Sequence, residues 1–373
     1  MTAIPVTHPD PPRVTLRSPT DLIALTPYLL GFHPSHSLVV VALQDGQVAF
    51  AARADLPGHR GPVRAAARQI IQTVARQAVD AVALLGYGPA ATADPLLRAV
   101  RAAAGRRGLA IAEVVRVDAG RWWSYLCENP RCCPPEGTPV DPATSEVAAW
   151  CAYAGLTAAA SRQDLARRIA PIGEPDRSAM TRATDRADRA LQDLLATVPE
   201  AGGEAAAVLA AGTVAVQAAT ERYRGGGTLD DDALAWLTVL LSSLPVRDLA
   251  WRAITSEQPH LALWTDVTRR ADPALVPAPA SLLAFTAWRT GDGARAGLAL
   301  DRALAADPSY SLAQLLRDAL RQGLPPSTLD GWPAVVDDPP PDGAMVDGDP
   351  PPDGATMDGD PPPDGQVTRS APA

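Results

Sequence analysis

Six consecutive apolar residues, Leu38-Val-Val-Val-Ala-Leu43, constrain the fold of this chain more than any other stretch. A strand that is apolar on both sides has no face to give to water, so it must lie inside a sheet covered from above and below. Asp45-Gly46 follows directly, a two-residue hairpin signal leading into Val48–Asp55. Just upstream, Ser18, Pro19 and Asp21 combine an N-cap, a proline at the first helical position and a capping-box spacing. They predict a helix over about 19–30, bent or restarted at Pro27 and stopped by Gly31 and Pro34.

The same alternation continues downstream. A helix is expected over 62–79 with Ile70, Ile71 and Val74 on its apolar side, then a strand over Ala81–Leu85 and a Gly86-Tyr87-Gly88-Pro89 turn. A second helix over 92–106 leads to a strand over Leu109–Val117, with 121–126 as its hairpin partner. Strands that alternate with helices imply an α/β domain, a mixed sheet flanked by helices, which we place at 14–160. With 373 residues the chain exceeds the size at which single cores usually split, so a second domain and a tail are expected.

After a linker at 161–177, β-branched runs give way to Ala- and Leu-rich helical periodicity, and an all-α, solenoid-like domain of helical hairpins is expected over 178–330. Helices are predicted at 178–197, 204–223, 230–243, 246–254, 260–271, 280–290, 293–306 and 310–322. Residues 281–310, SLLAFTAWRTGDGARAGLALDRALAADPSY, are similar to one tetratricopeptide-type hairpin, and only this unit matches. The tail, 331–373, repeats DPPPDG from Asp338, Asp349 and Asp360. Proline triplets and a dearth of apolar residues cannot offset the entropy of ordering, so disorder is expected there.

Charge narrows the function classes. The formal net charge is −9, but residues 337–373 hold nine Asp against Arg369 alone, which leaves the rest of the chain at −1. A near-neutral body has no general field to draw in phosphate polymers or anionic membranes, so no nucleic acid is expected as partner. The N-terminus lacks the basic and apolar regions of a secretory signal. The uncharged stretch Ala205–Thr220 is 16 residues long and falls short of the ~20 needed to span a bilayer. The expectation is a cytoplasmic protein with no membrane partner, in which four cysteines do not make a disulfide scaffold.

Chemistry-bearing residues gather in two places. RWWSYLCENPRCCPPEGTP, residues 121–139, holds Cys127, Cys132 and Cys133 beside Trp122 and Trp123. Cys127 and Cys132 are spaced like half of a structural zinc site, but a second close pair is missing, so no metal is assigned. Buried structural thiols, a disulfide bracing a proline-rich loop, and a catalytic thiolate remain open as readings of these cysteines and of Cys151. If Trp122 and Trp123 lie on a strand, one ring enters the core and the other covers the loop. In the second place, His33 and His36 flank the start of the buried strand, and Arg53 and Asp55 share one strand face. With Arg121 they form a candidate polar cluster, weighed against helix capping by His33 and a structural Arg53–Asp55 ion pair. The Gly86-Tyr87-Gly88 turn sits where open sheets place ligands, but it matches no nucleotide-binding pattern.

SPTDLIALTPYLLGFHPSHSLVVVAL, RADLP, the RWWSYLCENPRCCPPEGTP stretch and AFTAWRTGDGARAGLALDRALAADPSYSLAQLL, in that order, resemble the bacterial family called domain of unknown function 4192. The resemblance spans roughly 14–325 and implies that the DPPPDG tail is peculiar to this member. It implies no activity, and cofactors stay unknown. Three functions are therefore carried forward: an interaction or scaffold protein with its partner on the helical domain, a small-molecule enzyme with a site at the strand ends, and a thiol- or zinc-dependent sensor built on the cysteine loop.

Overall fold

The expected opening helix is present. In the computed structural model, which describes residues 15–58, 61–198, 203–255 and 258–329, α1 (Pro19–Leu30) starts with a complete capping box and ends at Gly31. The Asp21 N–H donates to Ser18 Oγ at 3.2 Å and the Ser18 N–H donates to Asp21 Oδ2 at 3.1 Å. Pro27 lies within the helix without ending it. The apolar run becomes β1 (Ser37–Gln44), and Asp45-Gly46 turns the chain into β2 (Gln47–Asp55). Next come α2 (Val63–Val74), β3 (Ala81–Tyr87), α3 (Ala90–Gly105), β4 (Ala110–Asp118), β5 (Arg121–Ser124) and β6 (Thr138–Pro139).

These strands form one six-stranded mixed sheet in the order β2-β1-β3-β4-β5-β6. Only β3 and β4 pair in parallel, as the helical crossover α3 requires; the other neighbours are antiparallel. β1 sits second from one edge, with Leu38 to Ala42 at most 1% exposed. Leu38, Val40, Leu84 and Val114 pack against Ile71 of α2 and Leu97 of α3. Val39, Val41, Leu85 and Val115 point the other way, toward Ile23 of α1. Each such Val or Leu contributes about 1.5–3 kcal/mol when fully buried, which explains why this run cannot be anything but a central strand.

The rest of the chain is helical: α4 (Glu146–Tyr153), α5 (Arg162–Arg168), α6 (Asp176–Ala196), α7 (Gly203–Arg224), α8 (Asp231–Leu240), α9 (Leu244–Arg252), α10 (Gln258–Arg270), α11 (Pro277–Arg289), α12 (Gly293–Ala306) and α13 (Ser311–Gln322). The segment 161–177 carries α5 and lies against the helices, with the Arg302 guanidinium donating to the Ile169 carbonyl and the Ile172 N–H donating to the Arg269 carbonyl at 3.1 Å. α11 and α12 form the hairpin expected from the Gly-Asp-Gly turn, where Asp292 Oδ1 accepts from the Arg295 N–H at 2.9 Å.

α11 is buried along nearly its whole length, from Pro277 to Trp288. Phe285 stacks on Trp251 with centroids 3.8 Å apart and meets Trp288 edge-on. The hairpin is therefore the centre of the helical half, with no open groove along α11.

Sheet and helices share one core. Val39, Val41, Leu85 and Val115 belong to the same packed cluster as Leu165, Met180, Leu263, Phe285 and Leu300. On the opposite side of the sheet, the Gln77 side-chain amide donates to the Gly323 carbonyl, tying the end of α13 to the turn after α2. The expected tail, 331–373, lies outside the described residues.

Candidate functional site

The five residues of the expected polar cluster are placed at four separate positions. Arg53 Nη2 lies 2.6 Å from Asp55 Oδ1, and Asp55 is 81% exposed, so this is a surface ion pair on β2. The Arg53 guanidinium also lies 5.9 Å from the centroid of the Phe32 ring. Arg121 is occupied elsewhere: its Nη1 donates to the Gly137 carbonyl at 2.7 Å, closing the cysteine loop. His36 is exposed, has φ +46, and uses its carbonyl to accept from the Leu56 N–H at 3.1 Å.

His33 lines a pocket that the other four do not. The pocket holds about 210 Å3 and lies on the α1 side of the sheet, lined chiefly by Ile23, Pro27, His33, Tyr87, Val117 and Val140. It sits at the ends of β3 and β4, the position ligands take in open sheets. Burial raises the pKa of the Tyr87 phenol, which therefore stays protonated at neutral pH. The lining carries no carboxylate and no thiol, so it offers an imidazole and a phenol for hydrogen bonding but no activated nucleophile.

The cysteine loop is the better-built site. Trp122 enters the core at 7% exposure, and Trp123 turns to the opposite face and covers the loop. Trp123 Nε1 donates to the Pro135 carbonyl at 2.9 Å, while Gly137, at φ +81, lies so close that a Cβ there would sit 2.5 Å from the indole. At the other end Ser124 Oγ accepts from the N–H groups of Leu126 and Cys127 at 3.1 and 3.2 Å. Between these anchors the Asn129 carbonyl accepts from the N–H groups of Cys132 and Cys133 at 3.2 and 2.8 Å.

This turn brings three sulfurs together. The Sγ atoms of Cys127, Cys132 and Cys133 all lie within 4.8 Å of one another, with Cys127 and Cys132 at 3.0 Å. All four cysteines are free thiols; Cys151 is fully buried among α1 and α4 residues and takes no part. Hydrogen bonds from Cys132 and Cys133, and then from the Asn129 backbone, hold the Cys127 thiol below its usual pKa. The Cys133 thiol, which gives its hydrogen bond to Cys127, is pushed up to about 12, and Cys132 is raised for the same reason.

A polar network under the loop was not expected from the sequence. Arg116, only 8% exposed, stacks on Trp123 at 3.6 Å from the ring centroid and lies 3.8 Å from Asp94 Oδ1 and 3.5 Å from Asp118 Oδ2. The Tyr125 hydroxyl donates to Asp94, and burial first, with this carboxylate second, pushes its pKa up to about 12. The one available signal was an arginine inside the apolar stretch Val114-Val-Arg-Val117, where a charge must find partners on the covered face of the sheet.

A third feature is a surface. α7 is uncharged from Ala205 to Thr220 and buries Gly212, Val216, Ala219 and Tyr223. Its outward side shows Ala206, Leu209, Ala210, Val214 and Ala218, with Leu209 36% and Val214 66% exposed. By length and composition this 22-residue helix could cross a membrane, and within the fold it packs against α8, α9 and α10.

The family model described as Domain of unknown function (DUF4192) matches residues 19–327 of the chain. No curated protein and no solved structure matches it.

Proposed function

The chain belongs to the DUF4192 family, and on that premise we propose that it is a noncatalytic protein-interaction molecule whose partner docks on the outward face of α7. The observation that carries this reading is an uncharged helix face, four turns long, that presents Leu209 and Val214 to solvent while a well-packed core lies directly behind it. Leu209 and Val214, five residues and so about 140° apart around the helix, flank an exposed strip of Ala206, Ala210 and Gln217, and a partner that covers the strip reaches both. Covering Val214 and Leu209 contributes about 1–3 kcal/mol each, the apolar share of an interface that must also offset the entropy of association.

A noncatalytic role is supported by the separation of His33, His36, Arg53, Asp55 and Arg121, which leaves the strand-end pocket with one imidazole and no paired base or nucleophile. The α11–α12 unit fits a tetratricopeptide-type hairpin in its turn chemistry, and in this reading it serves as an internal brace that holds α7 outward. This reading puts the partner surface on α7 within the helical half and takes the protein to be cytoplasmic.

The test compares the full chain with a Leu209→Asp/Val214→Asp variant, both immobilised and exposed to a lysate of the source cells. Retention of a protein by the first, at least tenfold weaker on the second at unchanged thermal midpoint, supports the proposal. Equal retention by both, or binding of the first to lipid vesicles in place of protein, overturns it.

A further inference from the structure

The loop from Leu126 to Glu136 has almost nothing apolar inside it. Leu126, Glu128, Asn129, Pro130, Arg131, Cys132, Pro135 and Glu136 are all exposed. A segment with no core of its own needs a cross-link if it is to hold one shape. Its two ends are fixed by Trp123, Ser124 and Arg121, and its middle converges on the three sulfurs. A disulfide would use two of the sulfurs and leave the third without a role. A thiophilic cation uses all three.

The spacing suits such a cation. Zinc–sulfur bonds of about 2.3 Å with tetrahedral angles set sulfur–sulfur edges of about 3.8 Å. The three sulfurs here, one pair at 3.0 Å and all within 4.8 Å, lie close to that edge. The Cys132 and Cys133 N–H groups both donate to the Asn129 carbonyl, and this turn carries their two sulfurs to the side of Cys127.

We propose that Cys127, Cys132 and Cys133 form a three-thiolate site for one zinc ion, with the fourth coordination position facing solvent beside exposed Cys132. On binding, the three thiols give up their protons to solvent and each sulfur donates an electron pair to the metal, with no change of oxidation state. The open position makes the site accessible to a fourth ligand from outside, as closed four-cysteine sites are not.

The experiment uses the full chain purified in a phosphine reductant, loaded with zinc, dialysed and measured for metal and for free thiols. Cobalt(II) replaces zinc in a parallel sample, to be read by its thiolate charge-transfer absorption. One zinc per chain and a cobalt spectrum of three-sulfur type are expected. Cys127→Ser, Cys132→Ser and Cys133→Ser should each weaken binding by at least about 100-fold, the upper end of what loss of a mere supporting group costs. Cys151→Ser should leave it unchanged, and circular dichroism should show all four variants folded. No retained zinc and no cobalt spectrum, a Cys127–Cys132 disulfide persisting in the reductant, copper(I) bound in place of zinc, or a Cys133→Ser variant with full affinity would each overturn the site.

Discussion

Trp123 fixes the cysteine loop through one face and one nitrogen, and Gly137 is the residue that lets the chain pass over it. A methyl group at 137 would meet the indole at 2.5 Å in a backbone conformation, φ +81, that L side chains avoid. Gly137→Ala should therefore lose about 1–3 kcal/mol in a denaturant titration, with a shift in tryptophan fluorescence reporting the displaced ring. The two ion-pair clusters should behave differently. Asp55→Asn breaks a pair whose carboxylate is 81% exposed and should change stability by less than about 1 kcal/mol. Arg116→Ala removes a mostly buried cation from beside Asp94 and from the face of Trp123, leaves Asp94 its Tyr125 hydrogen bond, and should cost about 1–3 kcal/mol in the same titration. At this scale the sequence was partly readable. That Arg53 and Asp55 share a face follows from strand alternation, and that one tryptophan enters the core follows from adjacency. The meeting of Cys133 with Cys127 was not readable, because it depends on the Asn129 turn and on Trp123 holding the far end of the loop.

Helix boundaries were legible wherever a capping residue or a proline marked them, as at Ser18, Asp230 and Asp292. α2 stops at Val74, short of the expected 79; the Asp80 N–H donates to the Leu43 carbonyl, which draws the chain into the start of β3. Burial was less legible than position. α7 and α11 are both rich in alanine and apolar residues, yet one is mostly solvent-facing and the other is almost wholly enclosed. Periodicity cannot distinguish them, because a helix that is apolar all round has no polar face to mark its outside. The structure makes the difference testable within one helix. Val214→Asp, at an exposed position, should stay within about 0.5 kcal/mol of wild type apart from a small loss of helix propensity. Val216→Asp, 2% exposed and facing the core, should lose more than about 3 kcal/mol by thermal melting.

The sheet and the helices pack into one compact unit over the described residues. The change from strand-and-helix to all-helix periodicity near residue 160 was visible in the sequence, but the core that joins the two parts was not, since it arises from contacts between residues over a hundred positions apart. Val39 and Phe285 belong to one cluster, so calorimetry should show a single cooperative transition for this unit, whereas two separated transitions would contradict a shared core. Site-specific photo-crosslinking in cells tests the central claim most directly, with the reactive side chain placed at 214 on α7 and, as a control, at the exposed position 188 on α6. The account predicts an adduct to a second polypeptide from position 214 and none from position 188. Adducts from both positions alike, from neither, or to lipid alone would contradict it.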